Sequence, residues 1–325
     1  MEYKALLAYL DDLLQETYAL WDAGWVTFNW RAYTYDHVQR VRGLALTLAA
    51  REGADRQVVE LAALLHDLTK PYDGEYLTDS EGKRVVDAQG YWQNQVRRPN
   101  RTNHVTDLYD RLGLAGRLHN ESGALIAQAL LKECDCPTPL VEKVGEAIRQ
   151  HLRPDDSASL EARCLYDADT IDANIGLPAF VRNIYINLHF HDRRKAPDTP
   201  PLEWRLQHDP QSFLDEYIRV NLPRWVQGKR QDFVPRLLTA TARQMAHERL
   251  LRLERVFEDL AEELPSFNPA RADGRLAVVW HYMLHRDDPS IAAETAALAS
   301  DGLVLRSEVA RELISQIEAE MAGHQ

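Results

Sequence analysis

Apolar residues recur every three or four positions along most of this 325-residue chain, and no series of segments alternates apolar and polar residues as strands do. This spacing places the apolar side chains on one face of an α-helix. The clearest stripes are Val38–Leu48, Val58–Leu65, Leu118–Leu130 and Val141–Ile148. The pattern therefore predicts an all-α fold in which several helices bury their apolar faces against one another.

Stretches rich in helix-breaking residues predict the domain organisation. The proline-rich stretch 192–210 predicts a boundary between a first domain over 1–195 and a helical C-terminal extension over 196–325. The irregular stretch 69–113 predicts a long insertion inside the first domain. In the extension, the spacing predicts helices near 211–222, 234–263 and 306–322. Residues 275–284 fit either a helix or a short strand.

The composition argues against several classes of protein. The formal net charge is −12, whereas proteins whose main partner is nucleic acid carry a basic surplus. The three cysteines are too few for a disulfide framework and fit a reducing compartment. No run of roughly 18 apolar residues is present to cross a membrane, and the N-terminal segment reads as an amphipathic helix. We therefore expect a cytoplasmic protein without a membrane partner, and whether it forms a homo-oligomer stays open.

Several histidines and acids continue the apolar stripes at the ends of the predicted helices. They are His37, His66, Asp67, His119, His151 and Asp167. Burying such a group without a partner is costly. A shared metal ion removes that cost, because neutral imidazole and carboxylate are natural metal ligands. A lone histidine on an apolar stripe is more often a hydrogen-bonded core residue, so the spacing alone leaves a metal site and a packed core both open.

The order of these residues resembles the H…HD…D pattern of the HD-domain superfamily. His37 is followed by the pair His66–Asp67, and Asp167 follows in the string YDADTIDANIG. The string VVELAALLHDLTK resembles the second motif helix of that superfamily, including its HDxxK ending. HNESGALIAQALL and IRQHLRP are similar to the histidine-bearing helices of its YedJ-like phosphohydrolase members. The resemblance covers about residues 30–180.

The resemblance implies an HD-domain helical bundle that binds a divalent metal. The metal ligands that it implies are His37, His66, Asp67 and Asp167. His119 and His151 would bind a second metal, as in two-metal members, or would contact substrate phosphate, as in single-metal members. Mixed imidazole and carboxylate ligands suit Mn, Fe, Co, Ni or Zn. One ion or two are both compatible with the sequence.

The activity that the resemblance implies is hydrolysis of a phosphate ester or anhydride in a nucleotide or small phosphorylated metabolite. A metal-activated water would attack phosphorus. Asp67 would orient this water, and Lys70 would bind a non-bridging phosphate oxygen. Further residues predicted to bind substrate phosphate are Arg97, Arg98 and Arg101 of the insertion. A di-iron HD-type oxygenase and a non-catalytic regulatory HD module stay as alternatives.

Two neighbouring groups receive a different prediction. Asp169 follows Asp167 by two residues, so the two side chains cannot face one ion on a helix. Asp169 is therefore predicted to cap a helix or to support a ligand. His281 and His285 are four residues apart, which is the spacing that lets two histidines share a metal. Without a nearby acid, we expect this pair to be solvated or packed.

Overall fold

A computed structural model of the chain describes residues 2–21, 31–86, 88, 93–269, 273–286, 290–302 and 306–323. The chain divides into two compact units, Met1–Tyr166 and Asp167–Gln325. Helices dominate both units, which confirms the predicted all-α class. The predicted domain boundary after residue 195 stays a prediction. Within the described ranges, no helix is both long enough and apolar enough to cross a bilayer.

The first unit is built around helix α3, which other helices surround. Its helices are α1 (Tyr3–Tyr18), α2 (Arg31–Glu52), α3 (Arg56–Leu65), α4 (His104–Arg111), α5 (His119–Glu133) and α6 (Thr138–Gln150). Helix α7 (Leu160–Asn174) begins in this unit and ends in the second. Asp55 starts α3 by accepting hydrogen bonds from the backbone N–H groups of Gln57 and Val58. Every residue from Val58 to Leu65 is buried, because α1, α2, α5 and α6 all contact α3.

The insertion 69–113 contains regular structure. Strand β1 (Asp73–Tyr76) pairs antiparallel with β2 (Asn94–Val96), and Asp73 lies opposite Val96. Helix α4 follows, and its start is fixed by a capping box in which Asn103 and Thr106 bond each other's backbone N–H. Residues 87 and 89–92 of the insertion lie outside the described residues. Asp73, the first residue of this β-hairpin, contacts His119 at the start of α5.

The second unit continues the helical architecture. After α7 its helices are α8 (Leu177–Arg194), α9 (Leu202–His208), α10 (Pro210–Glu216), α11 (Leu222–Asp232), α12 (Ala240–Glu263), α13 (Arg275–Leu284), α14 (Ile291–Ser300) and α15 (Glu308–Met321). A π-helical turn over Tyr217–Asn221 joins α10 to α11. Residues 275–284 are a helix, which decides between the two structures that the sequence allowed. Helices α13, α14 and α15 pack against α8 and one another.

One predicted helix begins later than the apolar spacing indicates. The spacing predicts a helix from residue 234, but α12 starts at Ala240. Residues Val234–Arg236 form a short 3-10 turn that contains a proline, and Leu237 is extended. Thr239 then caps α12 by accepting a hydrogen bond from the backbone N–H of Ala242. Periodicity cannot detect such a break, because the turn residues also fit the three- to four-residue spacing.

Candidate metal centre

Four imidazole rings surround the carboxylate of Asp67. They belong to His37 of α2, His66 after α3, His119 at the start of α5 and His151 after α6. The distances from Asp67 Oδ2 are 3.8 Å to His37 Nε2 and 3.7 Å to His66 Nε2. Those from Oδ1 are 3.4 Å to His119 Nε2 and 3.7 Å to His151 Nε2. The first unit therefore brings together five of the six stripe residues that the sequence selected, and all five are buried.

Backbone carbonyls set the tautomers of two of these histidines. His66 Nδ1 lies 2.8 Å from the carbonyl oxygen of Ala63, and His151 Nδ1 lies 2.7 Å from that of Ile148. A carbonyl oxygen only accepts, so each Nδ1 carries the hydrogen. In the neutral ring, Nε2 then presents a lone pair on the side that faces Asp67. Both contacts come from the last turn of the helix that precedes the histidine, so the helix end itself orients the ring.

A carboxylate from the hairpin orients the third ring. His119 Nδ1 lies 2.5 Å from Oδ2 of Asp73, the first residue of β1. The carboxylate accepts the Nδ1 hydrogen, which leaves Nε2 as the acceptor that faces Asp67. Carboxylates and carbonyls commonly hold the second nitrogen of metal-binding histidines in this way. The sequence analysis missed Asp73, because only the pairing of β1 with β2 brings it to this position.

The electrostatics of the cluster fit a bound cation. Asp67 Oδ1 and His119 Nε2 are buried, and neither has a hydrogen-bond partner among the described residues. When the His119 ring is neutral, as it is in a metal ligand, both atoms are acceptors, and they lie only 3.4 Å apart. Buried acceptors that face each other without a hydrogen between them are unfavourable. A divalent ion would satisfy both, and oxygen and imidazole nitrogen are suitable donors for a transition metal.

The charge of Lys70 also acts on Asp67. Lys70 Nζ lies 3.5 Å from Asp67 Oδ2 and is partly exposed. Burial by itself would raise the pKa of Asp67, but the charge of Lys70, joined by that of the surrounding histidines when they are protonated, outweighs it and holds the pKa well below its usual range. Asp67 is therefore an ionised carboxylate at neutral pH. The ammonium of Lys70 is a cationic group at the edge of the cluster that a solvent-borne anion can also reach.

Close packing of α5 against the end of α3 holds the cluster together. A Cβ atom on Gly123 of α5 would lie 3.3 Å from the carbonyl oxygen of His66, so the small residue permits this approach. The Thr69 hydroxyl donates to the carbonyl of His119 at 3.0 Å. The Tyr18 hydroxyl donates to the carbonyl of Asp67 at 2.8 Å. Buried hydrogen bonds therefore fix the backbone on both sides of the Asp67 carboxylate.

The donor atoms form two groups that share Asp67. His37, His66 and Asp67 offer ligand atoms that all lie within 4.8 Å of one another, and so do Asp67, His119 and His151. Oδ2 faces the first pair of histidines and Oδ1 faces the second pair. The geometry of the first unit is therefore compatible with one ion or with two ions bridged by this carboxylate.

The predicted ligand Asp167 makes other contacts. Its Oδ1 accepts the backbone N–H of Leu238, and its Oδ2 accepts the N–H and the hydroxyl of Thr239, each at 2.8 Å. Burial raises the pKa of Asp167, although these hydrogen bonds oppose the rise. Asp167 thus supports the start of α12, a capping role that the sequence analysis gave to Asp169. As a metal ligand, Asp167 stays a prediction.

The arginines of the insertion are exposed. Arg98 Nη1 donates to Asp110 Oδ1 at 2.6 Å, and Arg101 donates to the carbonyl of Ala19. The backbone N–H of Arg97 donates to the carbonyl of Tyr72 at 2.9 Å, next to Asp73. The backbone of Arg97 is thus bonded to the residue that precedes β1, the strand that carries the His119 partner Asp73. Phosphate binding by the three arginines stays a prediction.

The comparison with protein families agrees with this geometry. Residues 34–174 match the family model described as the HD domain. The chain therefore contains an HD domain, which confirms the superfamily that the sequence motifs indicated. The YedJ-like subgroup stays a prediction. An HD domain with this set of donors supports a metal-dependent phosphohydrolase activity in general terms. No curated protein matched the chain.

Solved structures resemble the chain more distantly. A predicted HD superfamily hydrolase from an uncultured Thermotogales bacterium is 23% identical, with a TM-score of 0.43, over 81% of this chain and 99% of that one. Bacillus subtilis YpgQ is 17% identical, with a TM-score of 0.40, over 82% of this chain and 100% of that one. Lin1889 from Listeria innocua is 18% identical, with a TM-score of 0.40 and the same coverage. The functional conclusions therefore rest on the residues of this chain.

Proposed function

We propose that this chain is a metal-dependent phosphohydrolase that cleaves a phosphate ester or anhydride in a nucleotide or a small phosphorylated metabolite. The observation that carries the proposal is the convergence of four imidazoles on the buried carboxylate of Asp67, where Asp67 Oδ1 and His119 Nε2, 3.4 Å apart, have no hydrogen-bond partner among the described residues. A purely structural cluster would pair these atoms, because a buried polar atom without a partner costs about 1–3 kcal/mol. The proposed ligands are the five converging residues.

The metal would be held by His37, His66 and Asp67, by Asp67, His119 and His151, or by both groups. When bound, a divalent transition metal polarises phosphoryl oxygens and lowers the pKa of water to about 7. Mn, Fe, Co, Ni and Zn all accept this donor set. Carbonyl or carboxylate partners hold the Nδ1 hydrogens of His66, His119 and His151, so these three rings would each present Nε2 to the metal.

The protein's own groups would act on water and on phosphate. Because the pKa of Asp67 is held low, its carboxylate orients water by accepting a hydrogen bond and does not retain the proton. Water would attack phosphorus as the bond from phosphorus to the leaving oxygen breaks, and the proton that the water loses would pass to that oxygen or to solvent. Lys70 Nζ, which is partly exposed beside Asp67 Oδ2, would bind a non-bridging oxygen and stabilise the developing charge. These two residues are the proposed catalytic groups.

The proposed substrate is small and anionic. The overall charge of −12 disfavours approach of a large polyanion such as nucleic acid. Local cations are still needed to bind phosphate, and Lys70 together with Arg97, Arg98 and Arg101 would supply them. Of these, Lys70 stands beside the carboxylate of the centre. We therefore expect the site to bind a terminal phosphate in preference to the phosphate backbone of a nucleic acid.

The test is hydrolysis of a panel of nucleotides and small phosphomonoesters, with Mn, Co or Ni added to chelated protein. We expect phosphate release from at least one substrate by the metal-loaded protein, loss of release with chelator, and loss in Asp67→Asn. Lys70→Met should raise KM more than an exposed lysine variant such as Lys143→Met. Metal-loaded protein that releases phosphate from none of the panel would count against the proposal.

The second group of donors favours one other candidate function. His119 and His151 add two nitrogens to the ligands around Asp67, and such a set could hold two irons in an HD-type oxygenase. That reaction would consume O₂. The iron-loaded protein would show a mixed-valence di-iron signal in electron paramagnetic resonance. Iron content near two equivalents together with no phosphate release would favour the oxygenase over the hydrolase.

A further inference from the structure

A second group of metal-binding side chains lies in the second unit. His281 is in the last turn of α13, His285 directly follows that helix, and Glu294 is in the first turn of α14. Glu294 Oε2 lies 2.8 Å from His281 Nε2 and 3.3 Å from His285 Nδ1. The three ligand atoms all lie within 4.8 Å of one another. The acid whose absence argued against a metal is therefore supplied by the next helix.

The two imidazoles are arranged as a pair on this carboxylate. Their ring centroids are 4.0 Å apart and their planes differ by 14°. The backbone N–H of His285 still donates to the carbonyl of His281 at 3.0 Å, which keeps the four-residue helical spacing. Two histidines at this spacing present nitrogens on one side of a helix and can share a metal. A single hydrogen-bonded pair would need only one of these rings.

The surrounding packing holds the three donors in place before any ligand binds. Thr295 donates its hydroxyl hydrogen to the carbonyl of Ile291 at 2.6 Å, so Tyr282 must donate to the Thr295 hydroxyl at 2.7 Å. Tyr282 follows the proposed ligand His281 in the sequence, Thr295 follows the proposed ligand Glu294, and both residues are buried. This bond fixes the register of α13 against α14 beside the donors. Metal sites depend on such support for their geometry.

The exposure of the group indicates what it binds. The side chains of His281, His285 and Glu294 are 21%, 52% and 24% exposed, so water can complete a coordination shell. Two nitrogens and one carboxylate oxygen are borderline donors that suit zinc and its neighbours rather than magnesium or calcium. We propose that His281, His285 and Glu294 bind a divalent transition-metal ion of the zinc class. This site is independent of the metal centre around Asp67 and does not rest on the proposed function.

Such an ion would join α13 to α14. Two donors come from the end of one helix and one from the start of the next, so binding stabilises their contact. The proposed role of the ion is therefore structural. The expected consequence is a rise in the melting temperature of the full-length protein on addition of zinc.

The experiment measures zinc binding to the full-length chain in an Asp67→Asn background, which disables the centre in the first unit. Chelated protein is titrated with Zn²⁺ by calorimetry and with Co²⁺ by absorption spectroscopy. We expect about one equivalent bound per chain. Adding Glu294→Gln should weaken zinc binding at least tenfold, since even the loss of an outer support costs about 10–100-fold. Glutamine can keep the hydrogen bond to His281, so this variant is expected to fold.

Two further variants guard the interpretation. His285→Ala removes a half-exposed side chain and should abolish the zinc-dependent rise in melting temperature without changing the helical circular dichroism signal. His247→Ala removes an exposed histidine that belongs to no such group among the described residues and should bind zinc like its parent. The proposal is overturned if the Asp67→Asn protein binds no zinc, or if Glu294→Gln and His285→Ala bind it as the parent does.

Discussion

Asp67 in the first unit and Glu320 in the second are both fully buried carboxylates, and they differ in the partners that surround them. In the second unit, Glu320 accepts the backbone N–H of Leu177 at 2.7 Å and a hydrogen bond from Arg252. Arg249 lies 3.6 Å away and is equally buried. In the first unit, Asp67 Oδ1 has no hydrogen-bond partner among the described residues and faces acceptor nitrogens.

Burial of a charged side chain therefore does not by itself indicate a functional site. Glu320 is neutralised by two arginines, and Gly176 leaves room for it, since a Cβ there would lie 2.3 Å from Glu320 Oε2. Gly176 also has a φ of 116°, which favours glycine. Both oxygens of the Glu320 carboxylate are therefore paired within the protein, although Arg249 Nε has no hydrogen-bond partner among the described residues. Asp67 faces one lysine and four imidazoles, and its Oδ1 has no hydrogen-bond partner among the described residues, which leaves a place where a cation from solution would bind.

The largest effect is expected on the free energy of unfolding when the ion-pair network of Glu320 is broken. Glu320→Gln should lower the free energy of unfolding by about 3–5 kcal/mol, because it leaves a buried arginine without its counter-charge. Metal content should not change. Chemical denaturation measures the effect. Glu318→Gln is the control, because Glu318 is an exposed glutamate on the same helix. A loss below about 1 kcal/mol would contradict a structural role for the network.

The next effect concerns the support of the metal centre. Asp73→Asn removes the charge that holds His119 Nδ1 and should weaken metal binding by about 10–100-fold, with little change in stability. Competition of the protein with a chelating dye gives the affinity. Asp110→Asn is the matched control, since Asp110 is an exposed acid of the same insertion that pairs with Arg98. Unchanged metal affinity in Asp73→Asn would show that Asp73 does not support metal binding by His119.

A smaller effect distinguishes Asp167 from Asp169, which are both in α7. Asp167→Asn should cost about 1–3 kcal/mol of stability, because an amide nitrogen cannot accept the hydrogen bonds from Leu238 and Thr239. If capping is its only role, metal content stays constant. Asp169 lies about 200° further around the helix, and Asp169→Asn is the paired variant. Loss of metal in Asp167→Asn would instead establish the ligand role that the sequence predicts.

The smallest effect tests an intermediate case, a half-buried cation with neutral partners. Lys229 Nζ donates to Asn174 Oδ1 at 2.9 Å and lies 4.3 Å from the Phe233 ring centroid. Burial, assisted by Arg182, lowers the pKa of Lys229 to about 8. The unfolded chain then keeps this proton to higher pH than the folded chain, so stability rises with pH above about 8.

This pH dependence gives a direct measurement. Wild-type protein should gain stability relative to Lys229→Met between about pH 8 and pH 10, by less than about 1 kcal/mol because solvent screens a partly exposed group. The exposed Lys143 gives the matched variant, Lys143→Met, which should follow the wild type at each pH. A relative stability that is flat or falls over this range would refute the assignment.

The helical period predicted much of the candidate centre, because it reports which side of each helix faces the core. His66, His119 and His151 could be selected in this way, and the structure brings them around Asp67. Asp73 could not be selected, since its position follows from pairing with a strand about 20 residues away. Glu294 was missed for the same reason, because packing of α13 on α14 brings it to the histidines.

Elemental analysis is the decisive test of whether the cluster around Asp67 binds a metal. The measurement compares Glu294→Gln protein, in which the site of the second unit is disabled, with the same protein carrying His66→Ala or Asp67→Ala. We predict about one or two equivalents of transition metal per chain in the parent and near none in either additional variant, while Glu320→Gln keeps the parent's content. Equal metal content in the parent, His66→Ala and Asp67→Ala proteins would contradict metal binding by this cluster.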